Sequence, residues 1–141
     1  MIAVIRISGE VNLNRDIKET LDRLRLRKKY SCAVFAKPEK EILGMIKKVK
    51  DFVAFGEINE EMLAKLLEAR GKPVDVKKKI DFKVATKEIT AGKKLQELNI
   101  KPFFRLHPPR KGIESKKHFG VGKGVLGNNK DKINNLIERM L

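Results

Sequence analysis

Between Lys101 and Gly127 the chain reads KPFFRLHPPRKGIESKKHFGVGKGVLG, and this stretch limits what the remainder can fold into. Pro102, Pro108 and Pro109 and five glycines interrupt it, so no long helix crosses it. Its apolar residues follow neither a helical nor a strand period. Seven Lys or Arg stand in it against one acid, Glu114, with Phe103, Phe104 and Phe119 among them. A bare loop this long is uncommon inside a compact domain unless it is functional or disordered. The core must therefore come from residues 1–100 and the last fourteen, with a basic arm tethered between them. Cations, planar rings and glycine backbone suit a phosphate backbone carrying unstacked bases. Such an arm is expected to be disordered when free and to fold on binding.

The charge points the same way. Thirty-three basic against 18 acidic residues among 141 give a formal net charge of +15, which calls for a polyanionic partner. Residues 58–141 carry +10 of it and residues 1–57 only +5. Nucleic acid is the favoured polyanion. A membrane surface requires an amphipathic cationic helix, which the sequence does not offer, and no apolar run is long enough to span a bilayer. Cys32 is the only cysteine, so no intramolecular disulfide forms and a reducing compartment fits. The N-terminus, MIAVIRISGEVNLN, lacks the basic and hydrophobic regions of a signal peptide and reads as a strand.

Periodicity organises the rest. Ile2 to Ser8 is a strand with Ile5 and Ile7 on one face, and Arg6 opposite them marks a partly exposed face. Asn12 or Asn14 caps a helix with Ile17, Leu21 and Leu24 as its stripe. After Ser31 to Ala36, a second strand, Pro38 and Glu39 open a helix buried through Ile42, Met45, Ile46 and Val49. Gly44 inside that helix suggests close packing against a backbone. DFVAFG, Asp51 to Gly56, is a third strand. Residues 1–57 thus read β-α-β-α-β, a domain with its own core, and residues 58–141 form a second, more helical region carrying the arm. Asn59 caps a helix with Met62, Leu63, Leu66 and Leu67 inward, stopped by Gly71 and Pro73. Ile80, Phe82 and Val84 alternate with charges, which suggests an irregular hairpin or ribbon, and Thr86 is placed as the cap of a short helix towards Leu95. Asn128 or Asn129 caps a last helix with Ile133, Leu136, Ile137 and Met140 on its docking face.

The segments IRISGEVN, LRLRKKYS and ILGMIKKVKDFVAFGE, and above all RLHPPRKG with Arg110 and Gly112, HFGVGKG and the terminal helix, resemble a universal large-subunit ribosomal protein family, numbered thirty in bacteria and archaea and seven in eukaryotes. The resemblance covers most of the chain, although Lys72 to Leu98 matches only in character. Bacterial members resemble residues 1–57 alone, and eukaryotic ones carry a basic N-terminal extension not seen here, so the chain looks archaeal. The resemblance implies an α+β fold, with a ferredoxin-like three-stranded antiparallel sheet and two helices followed by a smaller helical region. It also implies a ribonucleoprotein role in translation. The partners would be large-subunit ribosomal RNA, with the 5S RNA nearby, and neighbouring ribosomal proteins, in the cytoplasm within the ribosome. By resemblance, RNA contacts fall on Arg23, Arg25, Arg27, Lys28 and Lys29, and on the arm from Arg105 to Lys123.

Within the arm, Arg105, Arg110, Lys111, Lys116, Lys117 and Lys123 are read as phosphate contacts, since arginine forks pair with phosphate or stack on bases. Neutralising about six phosphates at a slope near 0.7 each would make binding steeply salt-dependent. His107 is placed as a stacking or hydrogen-bonding group, His118 as a further RNA contact, and Phe119 beside Gly120 as a base platform. Gly120 and Gly122 are read as points of close backbone approach. Phe103 and Phe104 are taken as anchors of the arm to the body. Lys77, Lys78 and Lys79 are as readily explained by solvation alone.

Other chemistry finds little support. Gly122-x-Gly124-x-x-Gly127 formally matches a dinucleotide fingerprint, but it follows a basic loop and too little chain remains for a second strand. Gly124 after Lys123 breaks a P-loop. The two histidines have no cysteine near them, so neither a metal nor another cofactor is expected. Cys32 reads as a small buried hydrophobe. No nucleophile, base and orienting group assemble, so neither an enzyme nor a small-molecule substrate is expected. A non-ribosomal RNA accessory factor and an architectural DNA-binding protein are the remaining alternatives.

Overall fold

A computed structural model describes residues 1–122 and 124–141, with the side chains of residues 114–116 left undescribed. Strand β1 (Ile2–Arg6) lies between β2 (Ser31–Phe35) and β3 (Val53–Glu57) and runs antiparallel to both. Its register sets Ile5 against Cys32 on one side and Ala54 on the other. Helices α1 (Arg15–Arg23) and α2 (Lys40–Lys48) link these strands, completing the expected β-α-β-α-β order. Of the two cap candidates it is Asn14 that closes α1, its side chain accepting from the Asp16 amide. Asn59 likewise caps α3 (Glu60–Arg70), accepting from Met62 N at 2.8 Å.

The sheet is buried on both faces. Val4, Ala33 and Val53 pack with Leu21, Leu24 and Ile46 beneath α1 and α2. Ala3, Ile5 and Ala54 face the opposite core, shared with Leu63 and Leu67 of α3 and with Ile133 and Ile137 of α5 (Ile133–Met140). This double cover corrects the expectation that Arg6 marks an exposed face. Arg6 sits on the Val4 side of β1, where the loop after α1 takes its hydrogen bonds, and is 1% exposed.

Residues beyond 58 enlarge the sheet. The short β4 (Phe104–Arg105) pairs antiparallel with β2, while β6 (Gly124–Asn128) pairs parallel with β3. Strand β5 (Glu114–His118) lies outside β6 across an irregular pairing, giving the order β4-β2-β1-β3-β6-β5. The sequence shows no strand period here because β6 is buried at successive positions, Gly124 to Gly127, as strands covered on both faces are. A Cβ on Gly56 would collide with the Lys130 carbonyl and stand 2.9 Å from Ile133 Cβ, so this glycine lets α5 approach β3. No comparable contact explains Gly44, whose surroundings are open.

The alternation around Ile80 to Val84 is also misleading. Asp81 caps a helix, α4 (Phe82–Thr90), accepting from the Lys83 and Val84 amides. Its buried stripe is Ala85 and Ile89, with Phe82 at the margin and Val84 half exposed. Thr86 lies inside the helix rather than at its start, its hydroxyl donating to Phe82 O at 2.7 Å.

Candidate nucleic-acid interface

The first basic segment is a loop whose shape the core dictates. Leu24 and Leu26 are buried, while Arg23, Arg25 and Arg27 alternate with them outward, followed by the exposed Lys28 and Lys29. Arg25 and Tyr30 take left-handed backbone conformations, with φ of 65° and 64°, that turn the chain at either end. Beneath the loop, Arg6 Nη1 donates to Leu26 O at 2.9 Å and to Arg27 O at 2.7 Å, and its Nε donates to Ser8 O at 3.0 Å. The Tyr30 amide returns a bond to Arg6 O at 2.8 Å. Burial lowers the Arg6 pKa from its ordinary value, against an opposing pull from Glu10 and Asp22. Arginine remains charged under such conditions, so the loop carbonyls rest on a buried cation. Lys29 Nζ stands 5.1 Å from the Tyr30 ring centroid, within cation–π range.

The arm begins against the same loop. Strand alternation turns Phe104 inward, 1% exposed opposite Cys32, and leaves Phe103 and Arg105 on the outer side. The expectation that both phenylalanines anchor the arm therefore holds for Phe104 alone. Phe103 belongs to neither apolar core. The Leu106 amide donates to Tyr30 O at 3.0 Å. His107 and Arg110 then donate their amides to Met140 O and Arg139 O, at 2.9 and 3.0 Å. Carbonyls at a helix end lack intrahelical donors, so the arm satisfies the last turn of α5. Arg139 reciprocates, with Nε donating to Arg110 O at 3.0 Å and Nη2 to Gly112 O. Lys111 and Gly112, with φ of 66° and 70°, form the turn that these bonds hold. Between Phe104 and Gly112 the arm is thus bonded to the body at both β2 and α5.

Further out, His118 Nε2 lies 3.3 Å from Asp51 Oδ1, both side chains being more than half exposed. Phe119 lies beneath Lys132, whose Nζ is 5.7 Å from the ring centroid. Gly120 and Gly122 adopt positive φ, 96° and 55°, so their role includes turning the chain. Lys117 is exposed. Lys123 and the Lys116 side chain, both among the expected contacts, lie outside the described residues.

Folding brings the two basic segments to one place. A groove of about 590 Å³ has Arg25, Arg27 and Lys28 on one bank and Lys101 and Arg105 on the other. Val74, Pro102 and Phe103 give it an apolar wall, and no acid lines it. Among the described residues, no carboxylate lies within ion-pair distance of those five cations. A second groove of about 410 Å³ runs between the arm and α5 past Lys111, Phe119, Lys132 and Arg139. Arg23 and Lys29 do not line the first groove, and His107 lines neither. Sequence reasoning missed Lys101 and Gln96 in the first groove and Lys132 and Arg139 in the second. Lys101 was legible as a cation flanking Pro-Phe-Phe-Arg, whereas Arg139 reads only as the solvated side of a helix.

Among the described residues no group of His, Cys, Asp and Glu could hold a metal ion. Cys32 is fully buried, and desolvation pushes its pKa up to about 12, so its thiol stays protonated and unreactive near neutrality. No helix is long and apolar enough to cross a membrane among the described residues.

Comparison with known proteins agrees. The family model for ribosomal protein L30p/L7e matches residues 2–53. The chain is 41% identical to the large ribosomal subunit protein uL30 of Nanoarchaeum equitans, over 100% of this chain and 99% of that one. It is 43% identical to the uL30 of Archaeoglobus fulgidus, over 99% of each. Against the uL30 of Methanococcus vannielii the figure is 39%, over 99% of this chain and 98% of the relative.

Proposed function

The chain belongs to the ribosomal protein L30p/L7e family, and from that premise we propose that it braces folded ribosomal RNA as a structural part of the large ribosomal subunit. Its role is structural rather than enzymatic, and it works in the cytoplasmic ribosome among ribosomal RNA and other ribosomal proteins. The observation that carries the RNA-binding reading is the meeting of Arg25, Arg27 and Lys28 with Lys101 and Arg105 around one acid-free groove. Five unpaired cations on a surface fixed by the core neutralise closely spaced phosphates without reorganising. The alternating loop sets where those charges stand, and the bonds to α5 set the course of the arm. We place the protein beside the 5S RNA, following the resemblance of its arm to archaeal members.

Crosslinking on the native large subunit, with sequencing of the RNA and mass spectrometry of the peptides, tests this. Peptides covering Arg23 to Lys29 and Lys101 to Lys123 should link to a few clustered positions in large-subunit RNA, some of them next to 5S. Links scattered over unrelated RNAs, or none from either segment, would overturn the RNA-bracing role. Links confined to positions remote from 5S would remove only the placement.

A further inference from the structure

We propose that the groove between the loop and the arm receives one unstacked nucleobase, with Phe103 as its stacking platform, rather than only tracking phosphates. The proposal rests on the RNA-binding reading and adds a binding mode to it. Phe103 is partly buried and packs in neither core, although the neighbouring Phe104 is fully used as an anchor. An aromatic ring that lines a groove outside both cores is available to a guest. The cavity, about 590 Å³, falls within the roughly 300–1,000 Å³ of pockets that enclose a small molecule, and a base with its ribose fits that space.

The lining matches such a guest chemically. Phe103, with Pro102 and Val74, offers an apolar face of the kind that unstacked bases lie on. Arg27, Lys28 and Arg105 line the same groove and supply the charge to hold the phosphates on either side of an extruded nucleotide. Gln96 is the neutral amide in the lining, able both to donate to and to accept from a base edge. An acidic peptide would satisfy the cations but leave the aromatic wall without a planar partner, so a nucleotide in a bulge or loop is the better match.

The test uses the whole protein and archaeal large-subunit RNA transcribed in vitro. Ultraviolet irradiation followed by peptide mass spectrometry should yield an adduct on Phe103 to a single nucleotide. The Phe103→Leu variant should lose that adduct and bind about ten-fold more weakly, with its slope of log affinity against log salt unchanged. Removing the base at the linked nucleotide should weaken the wild type by a similar factor and the variant scarcely further, since the two changes delete one contact. Thermal melting would verify that the variant folds. Full affinity in Phe103→Leu, no adduct on Phe103, or a Phe103 link to a protein in the native subunit would each overturn the base pocket, while steep salt dependence in the wild type would leave RNA binding standing. A wild type with no salt-dependent binding would overturn both.

Discussion

The loop from Arg23 to Lys29 and the arm from Lys101 meet at one groove through Arg25, Arg27 and Lys28 and through Lys101 and Arg105, yet they are held in opposite ways. The loop is fixed from below, by two buried leucines and by Arg6 reaching up through the core to two of its carbonyls. The arm is fixed from the side, by a two-residue strand and by amides that close the end of α5. From His107 to Gly112 its course therefore depends on a helix end, where hydrogen bonds fray most easily, while Arg105 stays paired to Ser31. The comparison teaches that equal charge density in the sequence conceals unequal rigidity. The loop should open only with the core, whereas the arm has a release of its own.

The largest expected effect breaks the loop side. Arg6→Met removes the donor shared by Ser8, Leu26 and Arg27 and should destabilise the protein by about 3 kcal/mol, since buried carbonyls are left unpaired. Urea unfolding measures this, and a loss below about 1 kcal/mol would mean that the leucines alone hold the loop. Next comes the arm side at its base. Gly56→Ala forces a methyl into the Lys130 carbonyl and Ile133, and overpacking of this kind costs about 2 kcal/mol. Amide exchange at His107 and Arg110 should accelerate with it, because α5 can no longer seat fully. If stability fell while those amides kept their protection, the arm would not depend on α5.

A gentler change separates the two regions. Arg139→Ala deletes the bonds to Arg110 and Gly112 and should cost about 1 kcal/mol or less. Exchange should quicken between residues 107 and 112 and stay slow around Leu24 to Tyr30. Equal acceleration in both regions would erase the distinction drawn between them. The smallest effect is a control remote from both: Gly44→Ala, with open space around its Cβ, should stabilise α2 by about 0.5–1 kcal/mol through helix propensity. A measured loss there would point to a contact at α2 that the fold does not display.

What could be read from the chain follows the range over which each signal acts. Asn14 and Asn59 cap their helices through amides two and three residues away, so these starts were legible, as were the three strands of residues 1–57. The period around Ile80 to Val84 misled because Asp81, a cap two residues before Lys83, outweighs a short alternation. Arg6 was misread because a charged residue opposite two isoleucines looks exposed until the helices that cover it are known. The same limit applies to the site. Its cations were visible as composition, and the family resemblance assigned them to RNA, but neither shows that Arg27 and Arg105 line one groove.

By itself, the sequence determined the β-α-β-α-β order, the helix starts near Asn14 and at Asn59, the basic character of loop and arm, and the family. It did not determine the starts of the last two helices, where Asp81 and Lys132 stand in place of Thr86 and of Asn128 or Asn129. Local propensity and charge are properties of residues and their near neighbours, so they survive in a string of letters. Only the tertiary structure decided that β6 pairs with β3, that Phe104 is buried while Phe103 is left at the groove, and that an arginine in the central strand supports the loop. Each of these depends on which surfaces meet across the fold, and burial is decided by the partner that arrives rather than by the residue that is covered.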